Sequence, residues 1–179
     1  MKQRQTTLRV ALLGVFGAMA LALSFLENTL LPDLPLLPPG AKLGLSNIVT
    51  MLCGALFGAS AAWYITAIKV LFAFLTLGVT AGLMSAAGGV CSTIGLCLLL
   101  RQVDKTVSYL GVGVLCAALH NLGQLLMSMA LTGSVALLSY GKYLLLFALC
   151  SGTLTGLMLC VLMPRLRQTG RFSNIISDN

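Results

Sequence analysis

Val107–Tyr140 reads VSYLGVGVLCAALHNLGQLLMSMALTGSVALLSY, a run without a single charged residue. It is longer than the roughly 20 apolar residues that carry a helix across a bilayer. Its centre, CAALHNLGQLL from Cys116 to Leu126, nevertheless holds a histidine, an asparagine and a glutamine. The run reads as a membrane span with polar groups built into it, and it sets the frame for the rest of the chain.

Working outward, the 179 residues are 58% hydrophobic and only 8% charged, against about 25% charged residues in soluble domains. A chain so poor in polar groups cannot cover a water-facing surface, so the fold class is an all-α integral membrane protein. The apolar segments predict six transmembrane helices in one bundle: Leu8–Phe25, Leu43–Gly58, Ala61–Leu77, Leu83–Leu100, Val107–Leu131 and Tyr143–Met163, the last closed by Pro164. The small residues Gly58, Ala59 and Ser60 suit a tight turn between the second and third. No small-residue cleavage site follows the first segment, which is therefore expected to stay as an anchor. The whole chain, 1–179, forms one membrane domain. Its long irregular stretch, ENTLLPDLPLLPPGAK at 27–42, carries four prolines that cannot continue a helix.

Basic residues give the orientation, since cytoplasmic loops retain Lys and Arg. Lys2, Arg4 and Arg9 lie before or at the start of the first span, Arg101 and Lys105 separate the fourth and fifth, and Arg165, Arg167 and Arg171 follow the sixth. An even number of spans puts all eight on one side. Both termini are then cytoplasmic, the 27–42 loop is external, and the chain is a multi-pass protein of the plasma membrane. The net charge of +7 is accounted for by topology and calls for no nucleic acid.

Enzyme chemistry finds little to work with. Glu27, Asp33, Asp104 and Asp178 are the four acids, and no two of them form an aspartate-rich magnesium motif. There is no phosphate-binding G-x-x-x-x-G-K-[ST] loop. The cysteines at 53, 91, 97, 116, 150 and 160 all lie in apolar spans without a C-x-x-C pair, and they read as packing residues. No catalytic residue, metal or cofactor is assigned.

The remaining polar residues converge. Lys42 and Asn47 flank the outer end of the second span, Lys69 lies inside the third, His120, Asn121 and Gln124 lie in the fifth, and Lys142 opens the sixth. His120 and Gln124 share a helix face, whereas Asn121 is about 100° round from His120. An intramembrane charge costs at least about 3 kcal/mol on insertion scales. Interhelical hydrogen bonding is the plain alternative, at about 0.6–2 kcal/mol per contact. Three lysines and four neutral hydrogen-bonding residues on the external side describe a positively biased pocket for a small molecule, and these seven residues are the candidate substrate-binding set. In the first span Gly14, Ala18 and Ala22 recur every four residues. Such stripes commonly serve contacts within a bundle, and they also serve docking of another membrane subunit.

Three segments carry a resemblance: KLGLSNIVTMLCGALFG from Lys42, GLMSAAGGVCS from Gly82 and ALHNLGQLL from Ala118. They resemble the signature segments of the Gx transporter family, also described as heptaprenyl diphosphate synthase component I. That family is in turn similar to the substrate-capture (S) subunits of energy-coupling-factor transporters. The resemblance implies six helices and a partner consisting of a transmembrane coupling subunit with an ATPase pair. It also gives Gly14, Ala18 and Ala22 a docking role, with glycine at a position usually held by alanine. Two functions follow as expectations. One is capture of a small anionic or ring-bearing molecule from outside. The other is a non-catalytic membrane component of a heptaprenyl diphosphate synthase or quinone-related assembly.

Overall fold

A computed structural model describes residues 2–30, 44–103 and 106–168. Six helices follow one another: α1 (Lys2–Leu30), α2 (Asn47–Phe57), α3 (Ala59–Leu77), α4 (Val79–Leu100), α5 (Tyr109–Thr132) and α6 (Gly141–Gln168), with a short 3₁₀ segment, Val135–Tyr140, leading into α6. Each sits on one of the six expected segments. The burial pattern is inverted relative to a soluble protein. Leu71, Leu75, Leu98, Leu126 and Leu145 are exposed on the outside, while Glu27, Asn47, Lys69, His120 and Gln124 are buried. A surface of that kind belongs against lipid.

Two turns use a single glycine. Gly58 (φ 87°) separates α2 from α3, and Gly78 (φ 89°) separates α3 from α4. A side chain at either φ would be strained, so glycine is what allows the chain to fold back with no loop. Gly78 also explains why α4 starts at Val79, one turn earlier than the expected Leu83. At the other end, α6 runs past Pro164 to Gln168, so the proline does not close it. Pro164 forfeits the hydrogen bond its N–H would make to Cys160 O and crowds that carbonyl, and the helix continues for one further turn.

α2 departs most from expectation. Five segments are long and apolar enough to cross a membrane, and α2, with 11 residues, is not among them. Its length of about 16 Å is near half the hydrocarbon thickness of about 30 Å. A turn at 44–46 lengthens it, with Asn47 N donating to Gly44 O and Ile48 N to Leu45 O. Two contacts tie the ends of this segment to α1. Gly44 N donates to the Glu27 carboxylate, and Arg9 Nη2 donates to Phe57 O at 2.8 Å. Positions 9 and 27 are about 27 Å apart along α1. The 44–57 segment, together with the arginine side chain, therefore runs antiparallel to nearly the full apolar length of α1.

α1 itself corrects the loop boundary. Glu27, expected in the external loop, lies in the helix and is buried. Gly17, Ala20, Ser24 and Glu27 form the inner face of α1, a spacing that brings each residue round to the bundle. The other loop positions, 31–42, lie outside the described residues.

The closest packing runs through glycines. A Cβ on Gly113 would fall 2.4 Å from Gly152 O and 2.5 Å from Gly156 N, so α5 and α6 touch backbone to backbone. A Cβ on Gly123 would fall 2.6 Å from Ala87 O and 3.0 Å from Gly88 Cα, marking the crossing of α4 and α5. In lipid, where there is little hydrophobic drive between helices, such approach is what holds them together. The apolar core, with Met51, Leu56, Phe57, Ile65, Leu96, Val112, Leu159 and Met163, fills the end of the bundle around the C-terminus of α2. Phe16 stacks edge-on against Phe57 there, with centroids 5.8 Å apart.

Candidate functional site

The other half of the bundle is polar inside. Gly44 has φ 82°, a conformation that costs glycine nothing and delivers Asn47 to the first turn of α2. Asn47 Oδ1 accepts from Lys69 Nζ at 2.6 Å, and Thr50 Oγ1 lies 3.5 Å from the same ammonium. α3 thus reaches α2 through a buried lysine. One turn further in, Thr66 and Thr93 hydrogen-bond at 2.7 Å and join α3 to α4.

α5 supplies the facing wall. A Cβ built on Gly44 would lie 2.8 Å from Asn47 Nδ2 and 3.5 Å from His120 Nε2, so both side chains meet at one point. A Cβ on Gly88 would lie 2.9 Å from His120 Nδ1 and 2.9 Å from Gln124 Cγ. Asn47, Lys69, His120 and Gln124 therefore gather where α2, α3, α4 and α5 meet, capped by Glu27 through Gly44. Only His120, Lys69 and Glu27 among them can carry charge, and all lie inside the bundle. Below the Thr66–Thr93 pair the interior turns apolar, with Cys53, Gly54, Ala62, Leu96 and Cys116 buried. Polar groups and core are thus separated along the bundle axis.

The other three candidates lie elsewhere. Asn121 turns toward α6, about 100° round from His120, where its Nδ2 donates to Leu144 O at 2.8 Å. Lys142 is exposed, with Nζ 5.0 Å from the centroid of the Tyr143 ring. Lys42 lies outside the described residues. Glu27, Thr50, Thr66 and Thr93 join the cluster without having been singled out. For Glu27 a signal existed: it continues the three-and-four spacing of Gly17, Ala20 and Ser24. The threonines carry no such signal, because a hydroxyl in an apolar span usually bonds its own helix, as Thr155 does to Ser151 O. On α1, Gly14, Ala18 and Ala22 are exposed, and a Cβ on Gly14 would meet nothing within 4 Å. The stripe is not used for packing among the described residues.

The profile of the family described as heptaprenyl diphosphate synthase component I matches residues 16–162. The chain belongs to that family. The matched region begins inside α1, ends inside α6, and contains every member of the polar cluster. No curated protein and no solved structure matches the chain.

Proposed function

We propose that this chain is a substrate-capture subunit of a membrane transporter, taking up a small anionic or ring-bearing molecule in the cluster of Asn47, Lys69, His120 and Gln124. The observation that carries the reading is the buried lysine of α3 held by Asn47. Placing a lysine in a bilayer costs about 2.5–3.5 kcal/mol on insertion scales, and interhelical hydrogen bonds in membranes return about 0.6 kcal/mol on average. Ionisable residues inside a membrane bundle mark substrate or ion paths, and this lysine, beside Asn47 and Thr50, suits recognition of an anionic or carbonyl group. In this reading both termini are cytoplasmic and the Glu27–Gly44 end of the cluster faces outward. The α1 stripe docks a transmembrane coupling subunit that works with an ATPase pair. Lys42 and Lys142 belong to the outer rim, and Asn121 to the wall behind the site. The test is mass spectrometry of small molecules released from the detergent-purified protein. A compound present in the wild type and lost in Lys69→Met is expected; identical profiles for the two would sink the reading.

The family supports a second reading, a non-catalytic membrane component of a heptaprenyl diphosphate synthase. Affinity purification of the tagged chain from its own membranes separates the two. An ATPase pair favours transport, and a soluble synthase subunit favours the enzyme assembly.

A further inference from the structure

We propose that Gly44 and Gly88 are positioning residues for His120, fixing its imidazole from two sides by the absence of their own side chains; the functional weight of this rests on the ligand-capture reading above. The two glycines address different edges of the ring. A Cβ on Gly88 would fall 2.8 Å from Cε1 and 2.9 Å from Nδ1; one on Gly44 would fall 3.3 Å from Cδ2 and 3.5 Å from Nε2. Each ring nitrogen thus has a glycine beside it, one from α4 and one from the turn that opens α2. The ring occupies the volume that a Cβ on Gly88 would fill, and lies in close contact with the place of one on Gly44.

Helix packing is the competing account of Gly88, and direction separates the two. The crossing of α4 and α5 is made by Gly123, whose Cβ would strike the backbone of Ala87 and Gly88. The Cβ of Gly88 would instead strike side chains, the ring of His120 and Cγ of Gln124. Side chains can swing aside where backbone cannot. A methyl at 88 therefore displaces the ring and leaves the crossing in place. Gly95 offers a control on the same seam, since its Cβ would fall 2.2 Å from Leu119 Cδ1 and disturbs apolar packing without touching the ring.

His120 is the one histidine in the chain, so ring-¹⁵N-labelled histidine gives a single imidazole in NMR spectra of the full-length protein in lipid nanodiscs. Gly88→Ala is expected to move both ring-nitrogen resonances and to change the pH profile of the ring, while Gly95→Ala leaves both as in the wild type. Unchanged resonances in Gly88→Ala, or equal shifts in Gly95→Ala, would overturn the assignment. If Gly88→Ala does not fold, Gly88→Ala/Gln124→Ala is compared with Gln124→Ala alone, because the closest contacts left to the added methyl are then those of the ring. A double variant that also fails to fold shows that backbone rejects the methyl, and overturns the assignment too. The readout involves no ligand. A shifted ring in a protein whose bound small molecules do not depend on His120 would defeat the capture reading and leave the positioning role standing.

Discussion

Lys69 Nζ on α3 donates to Asn47 Oδ1 on α2 at 2.6 Å inside the bundle. This is a charged donor held by a neutral acceptor, so the two ends of the bond respond differently to substitution. Removing the acceptor leaves a buried ammonium with one partner fewer, a loss of about 1–3 kcal/mol. Removing the ammonium also removes its desolvation cost. Asn47→Ala is therefore expected to lower the thermal unfolding temperature in detergent, and Lys69→Met to leave it unchanged or raise it while abolishing ligand retention. A lower unfolding temperature for Lys69→Met than for Asn47→Ala would show that the lysine stabilises the fold and is not a site residue.

Arg9 carries two roles that the sequence shows only in part. As a basic residue near the start of the first span it belongs to the charge pattern that suggests a cytoplasmic N-terminus. In the folded chain its guanidinium also reaches Phe57 O, at the C-terminal end of α2, where a cation complements the helix dipole. Arg9→Gln is expected to cost about 1 kcal/mol, read as a lower unfolding temperature, and Arg9→Lys should recover part of it. Equal stability of all three proteins would mean that the contact is made as well by water.

How far the sequence could be read depends on the kind of signal. The helices were legible because apolar runs and glycine breaks are local features, and four residues of the polar cluster were legible because a polar group in such a run is conspicuous. Glu27 was legible only through its spacing from Ala20 and Ser24, a signal that the prolines from Pro32 onward mask. The extent of α2 was not, because a segment of 11 residues is matched to the length of α1 only through Gly44 and Arg9. The role of Gly88 was not, because a glycine in a glycine-rich helix acquires meaning only from what crosses it.

Topology follows from that short helix. If the 44–57 segment completes a crossing, the count is even and positions 39 and 171 lie on opposite sides. Reporter fusions at Pro39 and Arg171 are expected to give opposite signals. The same signal from both would mean that α2 enters the membrane and returns.

The α1 stripe can be separated from the fold. Gly14, Ala18 and Ala22 point away from the bundle, so a large residue there has space in the isolated chain. Ala18→Trp should leave unfolding unchanged and eliminate co-purification of the partner subunit. Loss of the isolated fold would instead assign the stripe to internal packing.

The HNLGQ run divides by direction. Asn121 spends its amide on Leu144 O of α6, whereas His120 and Gln124 face Gly88 of α4. One turn of helix thus carries a bond between helices on one face and a candidate site on the other, as the 100° step between neighbours allows. Asn121→Ala is expected to destabilise the protein by about 0.6–2 kcal/mol with bound small molecules retained. His120→Ala and Gln124→Ala are expected to reverse that pattern, keeping the unfolding temperature and losing the ligand. Unfolding curves and released small molecules, measured on the same three preparations, decide it. If all three variants lose stability alike and keep what they bind, the whole run holds helices together and the site lies elsewhere.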